Sequence, residues 1–418
     1  MRDVFDVCVV GAGMAGRLMA LALRHQGLSV VLADRAEPTV PVTDGRTTAL
    51  AYASVRLVKR LGVWGTLEPK AEPITDILVS NGDPRDRFRP GGLTGGQLHF
   101  PATLLAEGPK PQNEPALGYI VENKDLIAAF QEAGDKAGVE GRFGAAVTSY
   151  AAASGDGAGR LTLASGEVIR TRLLVACDGK NSPLRGQVRL PTLNWGYPQT
   201  GIVFNIAHER PHNGVAHEVF YPDGPFAILP MRDNQCSIVW TQNKKSAQSF
   251  MALSDEAFLE AARERIGDHL GAFTLASPRQ SYPLFLVYAP TLTAERFALA
   301  GDAAHGIHPI AGQGFNLAVK DIAVLADVLA EAQAAGLDVG HGSVLQRYDR
   351  WRRFDGASMV MGTDVLNRLF SNSFGPLKHI RGLGLGVVQR SDAARRMFMR
   401  ISGADAGTLP ALMQPFRG

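Results

Sequence analysis

Three absences narrow what this chain of 418 residues can be. It has only three cysteines, too few and too scattered for a disulfide framework or a cysteine metal cluster. Its formal net charge is only +3, which gives no reason to expect a nucleic-acid binder. No uninterrupted apolar run reaches the roughly 18 residues of a membrane-spanning helix. These absences favour a soluble enzyme of the reducing cytoplasm.

The N-terminal apolar stretch, Val7–Val10 followed by Met14–Leu23, superficially resembles a signal peptide. Three glycines and Arg17 interrupt it, however, and the only earlier cation, Arg2, is followed by two acids. We therefore expect no secretion signal and a cytoplasmic location.

The first residues predict a βαβ unit. Phe5–Val10 is a β-branched run that ends at Gly11, and apolar residues then recur at helical spacing from Met14 until Gly27. Leu28–Ala33 predicts a second strand. Strand, turn, helix and strand within about 30 residues imply a parallel sheet.

The rest of the chain mixes both kinds of element. The predicted helices are Thr47–Leu61, Asn123–Ala137, Asp255–Ile266 and those from Phe315 onward. The predicted strands are Leu98–Phe100, Leu173–Ala176, Gly201–Ile206, Ala216–Tyr221, Phe226–Pro230, Gln235–Trp240 and Phe297–Ala300. Hairpins with a turn at Gly155–Gly159 are expected between Gly141 and Ala176, Arg85–Gly96 is expected to be a loop, and antiparallel pairing is the default for the later short strands.

These elements predict an α/β fold, in which a Rossmann-like parallel-sheet domain is interrupted by an antiparallel β-rich substrate domain. We expect the discontinuous nucleotide-binding domain at 1–72, 98–186 and 285–345. The β-rich domain is expected at 73–97 and 187–284, and a C-terminal helical region at 346–418.

The first chemical motif is the turn Gly11-Ala12-Gly13-Met14-Ala15-Gly16, between the first strand and the first helix. Gly11 permits the tight turn, Gly13 lets the backbone approach a pyrophosphate, and Gly16 allows close helix–strand packing. Asp34, with Arg35 beside it, follows the second strand, where a carboxylate can bind ribose hydroxyls. A structural glycine turn is the alternative, but strand, helix and acid together favour dinucleotide binding.

Two further segments follow buried strands. Leu173–Ala176 runs into Cys177-Asp178-Gly179-Lys180-Asn181-Ser182-Pro183-Leu184-Arg185, and Phe297–Ala300 runs into Gly301-Asp302-Ala303-Ala304-His305 and on to Gly312-Gln313-Gly314-Phe315-Asn316. In this order the three segments resemble the three fingerprints of class A flavoprotein monooxygenases, the para-hydroxybenzoate hydroxylase type.

The resemblance implies FAD as the cofactor of the Rossmann-like domain. Gly301 and Asp302 then lie at the ribityl chain, where the carboxylate can accept hydrogen bonds from its hydroxyls. The segment Gly312, Gly314, Phe315 and Asn316 opens a helix whose amides and dipole face the flavin pyrimidine ring. Asp178 is either a cofactor contact or a structural turn, and the sequence leaves both open.

Further segments resemble the ubiquinone-biosynthesis hydroxylases within that class: Asp44–Leu50, Gly224–Pro230, His305–Leu317 and Leu369–Asn372. By this match Arg46 contacts the flavin or its phosphates. The resemblance implies that reduced FAD forms a C4a-hydroperoxide with O2 and hydroxylates the ring of a polyprenylated phenol. No catalytic side chain is predicted, because the flavin itself carries the chemistry.

No second strand–glycine turn–helix unit is present, so NAD(P)H would bind transiently or another protein would donate the electrons. The alternatives are an epoxidase or prenyl reductase on the same scaffold, or a non-catalytic FAD-containing subunit that binds prenylated lipid. Halogenation is disfavoured, because the four tryptophans form no tryptophan-x-tryptophan motif.

The sequence leaves the roles of several charged residues open. For His305 and His308 we favour packing or loop hydrogen bonds, and no third partner at suitable spacing makes them metal ligands. Arg17 either approaches the phosphates or points to water. Between Val365 and Gly403, seven Lys and Arg face one acid. This basic segment predicts either docking on an anionic membrane or a partner protein, or a solvated helical face.

Overall fold

The computed structural model describes residues 4–38, 45–81, 97–106, 116–154, 157–306, 313–353, 355–356 and 388–416. The predicted loop Arg85–Gly96 lies outside these residues, as do His308, Gly312 and Leu369–Asn372.

The described strands are β1 (Phe5–Val10), β2 (Val30–Ala33), β3 (Thr47–Ala51), β4 (Glu72–Ile74), β5 (Asp76–Asn81), β6 (Gln97–Pro101), β7 (Gly118–Glu122), β8 (Glu140–Arg142), β9 (Val147–Ser154), β10 (Ala158–Leu163), β11 (Val168–Ala176), β12 (Leu193–His208), β13 (Val215–Tyr221), β14 (Gly224–Met231), β15 (Gln235–Asn243), β16 (Phe273–Leu275), β17 (Gln280–Tyr288), β18 (Thr293–Ala294), β19 (Phe297–Leu299) and β20 (His305–Gly306). The described helices are α1 (Met14–His25), α2 (Tyr52–Arg60), α3 (Trp64–Leu67), α4 (Asn123–Lys136), α5 (Pro183–Gln187), α6 (Lys244–Met251), α7 (Asp255–Ile266), α8 (Gln313–Ala334), α9 (342–353) and α10 (Asp392–Ser402).

The first sheet confirms the predicted parallel α/β core. Five parallel strands stand in the order β8-β2-β1-β11-β19, and β9 and β10 extend β11 as antiparallel strands. Val7, Cys8 and Val9 of β1 are fully buried, as expected for a parallel strand covered on both faces. The hairpin prediction for this part of the chain is also confirmed.

The second sheet has the order β20-β17-β12-β15-β14-β13-β5-β6, with β16 paired to β12. The strands predicted between residues 187 and 284 pair antiparallel, which confirms that prediction, whereas β5, for which no pairing was predicted, runs parallel to β13. The reason is that β5 comes from a much earlier stretch of chain, and no hairpin turn sets its direction. The chain enters this sheet three times, with β5 and β6, with β12 to β17, and with the short β20. The first two entries lie in the two stretches predicted for the interrupting domain, whose boundaries stay a prediction.

The two faces of the second sheet pack against different parts of the molecule. One face forms a core with α6 and α7 that includes Ile238, Trp240 and Phe258. The other face joins the core of the nucleotide-binding domain, through residues such as Ala216 and Phe220. This second face therefore forms the contact with the nucleotide-binding domain.

A third, small sheet, β3-β7-β4, corrects one prediction. Thr47–Leu61 was expected to be a single helix, but its first five residues form β3, and helix α2 begins only at Tyr52. β3 pairs along its whole length with β7, which gives its backbone groups partners that a local helix would have supplied. A smaller correction concerns β2, which begins at Val30, because Leu28 N still donates to Leu23 O and closes α1.

No helix within the described ranges is long and apolar enough to cross a membrane. The three cysteines are unpaired, and Cys8 and Cys236 are buried.

Candidate functional site

The turn between β1 and α1 is shaped by its glycines. Gly11 has φ +105°, and a Cβ there would lie 2.4 Å from Cys177 O. A Cβ on Gly16 would lie 1.7 Å from Gly11 O, so any side chain at either position would collide with backbone. A Cβ on Gly13, in contrast, would meet no atom within 4 Å. Gly13 therefore faces open space at the N-terminus of α1, where the first amides have no intrahelical acceptor.

Asp34 ties the end of β2 to this turn. Its Oδ2 accepts a hydrogen bond of 2.5 Å from Ala12 N, and its Oδ1 accepts one of 2.8 Å from Ala36 N. A carboxylate oxygen has a second lone pair, so the predicted ribose contact remains chemically available. Arg35 next to it is exposed.

Arg17 does not take the solvent-facing position, and its approach to the phosphates stays a prediction. It is only 7% exposed, and its Nε donates to Ala12 O at 2.7 Å. Burial lowers the pKa of Arg17, against the opposing charges of Asp34 and Asp135. The guanidinium therefore binds the backbone of the glycine turn, and the expectation that it points to water is wrong.

The second segment is joined to the third by Arg185. Its two terminal nitrogens donate to Ala303 O at 2.6 Å and to Lys180 O at 2.9 Å. Asp178 accepts a bond from Leu184 N at 3.3 Å through Oδ2, while its buried Oδ1 has no hydrogen-bond partner. Burial raises the pKa of Asp178, although Ser182, Leu184 and Arg185 oppose the shift. One oxygen is thus structural and the other is buried without a partner, so a cofactor contact at Asp178 stays a prediction.

The third segment packs directly on the first. Gly301 has φ +64°, and a Cβ there would lie 3.1 Å from the Cβ of Ala15. The next residue, Asp302, is solvent-exposed. Burial raises the pKa of Asp302, against the pull of Lys180, Arg46 and His305. Gly301 and Asp302 therefore lie beside the first glycine turn, and Asp302 has the three cationic or titratable neighbours just named.

The opposite wall of the cleft is the second sheet. The guanidinium of Arg46 lies 5.0 Å from the ring centre of Tyr282, and Lys180 Nζ lies 3.8 Å from that of Phe285. Gly45 O accepts a bond from Asn205 Nδ2 at 3.0 Å, which fastens the Arg46 segment to β12. The structure thus brings Arg46 to the predicted site. It adds Lys180, which lies within the second segment but was not singled out from the sequence.

The start of α8 is held in place by Asn316. Its Nδ2 donates to Ala49 O at 2.8 Å, and its Oδ1 accepts bonds from Ala51 N and Ser54 Oγ at 2.9 and 2.8 Å. This side chain fastens α8 to β3, so a cofactor contact at this residue would use its backbone. Gly314 and Phe315 are half-buried on the same first turn.

Behind the third segment lies a buried group of charges that sequence reasoning missed. Asp321 Oδ2 accepts a bond from Gly301 N at 3.0 Å, and its Oδ1 lies 2.7 Å from Arg352 Nε. His305 Nε2 lies 3.4 Å from the same oxygen. Burial alone would raise the pKa of Asp321, but His305 and Arg352 outweigh burial and lower it. In the described part of the chain, no group of three or more His, Cys, Asp or Glu is arranged to hold a metal.

A family model described as the FAD binding domain matches residues 4–363. The chain belongs to this family.

Its relatives cover nearly the whole chain. The ubiquinone hydroxylase UbiL of Rhodospirillum rubrum is 40% identical over 401 residues, which are 95% of this chain and 89% of that protein. The 3-demethoxyubiquinol 3-hydroxylase of Escherichia coli is 31% identical over 399 residues, 94% of this chain and 97% of that one. The solved structure of p-nitrophenol 4-monooxygenase PnpA from Pseudomonas putida has a TM-score of 0.79 at 19% identity, with 98% and 100% of the two chains covered. It shares the fold.

The residues present fit FAD. Gly13 leaves room at a helix N-terminus for a pyrophosphate, and the exposed carboxylate of Asp302 can accept a hydrogen bond from a hydroxyl group. The partnerless Oδ1 of Asp178 is a further acceptor beside Gly11. FAD is therefore the cofactor, while the role of each predicted contact residue stays a prediction.

Proposed function

We propose that this protein is an FAD-dependent monooxygenase that hydroxylates the aromatic ring of a polyprenylated phenol in ubiquinone biosynthesis. The observation that carries the proposal is the cleft, in which Gly13, Asp178 and Asp302 from three distant stretches converge opposite the second sheet. The relatives named ubiquinone hydroxylases, which match along nearly the whole chain, support the reaction class.

Each part of the site has a task that follows from its chemistry. The N-terminus of α1 and the open side of Gly13 hold the pyrophosphate, and Asp302 accepts from the ribityl chain. Lys180 and Arg46 place positive charge near Asp302. When bound, FAD supplies the activation of O2 and the transfer of one oxygen atom to the ring. The second sheet covers the cleft and excludes water from it.

The apolar side chains on that face of the second sheet support the substrate class. The face that joins the nucleotide-binding core carries Ile77, Val79, Leu98, Phe100 and Phe220. Such a face suits a prenyl tail, because its burial removes apolar surface from water.

Electrons come from NAD(P)H bound transiently, or from a protein donor. The glycines near 157–159 join β9 to β10 and so open no helix, which leaves one dinucleotide fold among the described elements. A reductant without a domain of its own must reach the flavin through the cleft.

The surface of α10 supports contact with a membrane. Met397, Phe398 and Ile401 are 65%, 47% and 37% exposed. Arg395 is held by Asp392 and His99 O, and Arg400 lies 3.7 Å from Asp405, so part of the basic charge is used internally. The exposed apolar side chains favour docking on a membrane over a solvated face, and this is where a prenylated substrate would arrive.

The test is turnover with a defined substrate. Purified protein that carries FAD is incubated with a short-chain prenylphenol, oxygen-18 gas, and in turn NADH, NADPH or a chemical reductant. The expected product carries one labelled oxygen atom on the ring. A label on the prenyl tail would identify an epoxidase, and a saturated tail without label would identify a prenyl reductase. Flavin reduction without any product would identify a binding subunit.

A further inference from the structure

One carboxyl stands alone on the cleft-facing side of the second sheet. Side chains of a strand alternate between the two faces, and on β13 the face toward α6 and α7 takes Val219 and Tyr221. Ala216 and Phe220 belong to the core of the nucleotide-binding domain. Glu218 lies two residues from each of them, so its side chain is on the same face of the sheet, the one toward the nucleotide-binding domain.

The neighbours of Glu218 on that side are apolar. The strand register places Val79 of β5 and Ala227 of β14 directly opposite it. Leu98 follows on β6, opposite Val79. Because paired strands lie about 4.8 Å apart, the apolar strip extends roughly 10 Å from Glu218 to β6.

The carboxyl has no hydrogen-bond or ion-pair partner among the described residues. Its neighbours on the adjacent strands do not titrate, and burial alone raises the pKa of Glu218 to about 8. The side chain is half-buried, so part of its surface is accessible to a ligand. At neutral pH it is therefore an uncharged group that can both donate and accept a hydrogen bond.

A polar group that has no hydrogen-bond partner in apolar surroundings lowers the stability of the folded protein, unless a ligand supplies the missing partner. A phenol with a prenyl tail has the matching features, because it carries one hydroxyl beside a long apolar chain. Resting on the proposed function, we propose that Glu218 binds the ring hydroxyl of the substrate while the apolar strip toward β6 takes the prenyl tail.

The test measures affinity with and without the hydroxyl. A short-chain prenylphenol and the prenylbenzene that lacks the hydroxyl are titrated into the FAD-loaded protein, and the flavin absorbance reports binding. A buried hydroxyl partner left unpaired weakens binding by about 1–3 kcal/mol, so the phenol should bind roughly 5- to 150-fold tighter. Glu218→Gln, which keeps a donor and an acceptor, should retain this preference within about threefold.

Glu218→Met removes the polar group and keeps the length of the side chain. It should abolish the preference for the phenol while flavin content and prenylbenzene affinity stay unchanged. Glu264→Met, an exposed glutamate on α7 behind the sheet, serves as the matched control and should behave like the wild type.

Two results would overturn the proposal: a Met variant that still prefers the phenol, or a Gln variant that loses phenol binding. Both are read from binding, so they are independent of whether product forms. Failure of the wild type to hydroxylate the phenol would instead count against the proposed function.

Discussion

At the scale of single residues, the acid at the floor of the cleft differs from most acids in the molecule. Asp302 is exposed toward the cleft, yet burial by the surrounding protein raises its pKa despite nearby cations. A ligand that donates hydrogen bonds to this carboxylate compensates for its desolvation.

Asp302→Ala should weaken FAD binding, because one charged acceptor is lost. Hydrogen bonds to charged groups contribute about 1.5–3 kcal/mol, so the Kd for FAD should rise roughly 10- to 150-fold. Reconstitution of the apoprotein, followed by flavin fluorescence, measures the change. Asp255→Ala on α7 is the control, and equal Kd values for the two variants would refute the assigned role.

Glu218 should make stability depend on pH. Its pKa is raised to about 8 in the folded protein from 4.5, so between these values the folded state holds a proton that the unfolded state has lost. The free energy of unfolding must therefore fall as the pH rises through this range. Glu218→Gln should remove this part of the fall and should be the more stable protein at pH 8. Parallel Tm profiles of both proteins from pH 5 to pH 8 would contradict the assignment.

At the scale of elements, α8 and α9 hold the turn that carries Asp302. Asp321 of α8 binds Gly301 N on one side and Arg352 of α9 on the other, and both charges are fully buried. A buried pair of this kind adds little net stability, but the loss of one partner is costly.

Asp321→Leu should lower the free energy of unfolding by about 3–5 kcal/mol, because the buried Arg352 loses the acceptor of its Nε and keeps only Asp355 as a charged partner. Adding Arg352→Met should restore much of that stability without restoring FAD affinity, since Gly301 N still lacks its acceptor. Denaturant unfolding and flavin titration of the three proteins separate the two effects. Asp349→Leu, a buried acid that accepts from Leu292 N, is the control that should keep FAD affinity. Full recovery of FAD affinity in the double variant would show that Asp321 only stabilises the fold.

The exposed apolar side chains of α10 make a prediction of their own. Phe398→Ser should lower binding to vesicles of phosphatidylglycerol and phosphatidylcholine by about tenfold, because a buried aromatic side chain contributes roughly 1.5–3 kcal/mol. Co-sedimentation measures the bound fraction. Leu337→Ser changes a side chain that is 53% exposed elsewhere and should have no effect. Equal binding by both variants would leave α10 without a role at the membrane.

Individual elements also show how much of the fold could be predicted from the sequence. β1, α1 and α7 follow from local patterns, and the structure places them at or within a residue of the predicted bounds. Thr47–Ala51 could not be predicted as a strand, because β7 and Asn316 supply its partners from distant positions. Glu218 was visible within an apolar run, but only the register with β5 and β14 shows which face it occupies.

At the scale of the whole molecule, the cofactor site draws on stretches that are far apart in sequence. A Cβ on Gly11 would contact Asp178, and one on Gly301 would contact Ala15, so the three segments form one packed unit. A ligand bound across such a unit stabilises all of its parts together.

FAD should therefore raise the Tm of the apoprotein in a concentration-dependent way. At a free FAD concentration of 100 times its Kd, linkage adds about 2.7 kcal/mol to the stability of the folded state. Differential scanning calorimetry should show one transition that moves as a whole. Two transitions, of which FAD moves only one, would indicate that the second sheet unfolds independently.

The parallel pairing of β5 with β13 also determines how a fragment of this protein would behave in isolation. A fragment that begins after β11 and ends at β17 would contain most of the second sheet but would lack β5 and β6. The outer edge of β13 would then present unpaired amide and carbonyl groups to other chains. Such a fragment should self-associate unless a peptide that covers residues 76–101 is added in trans.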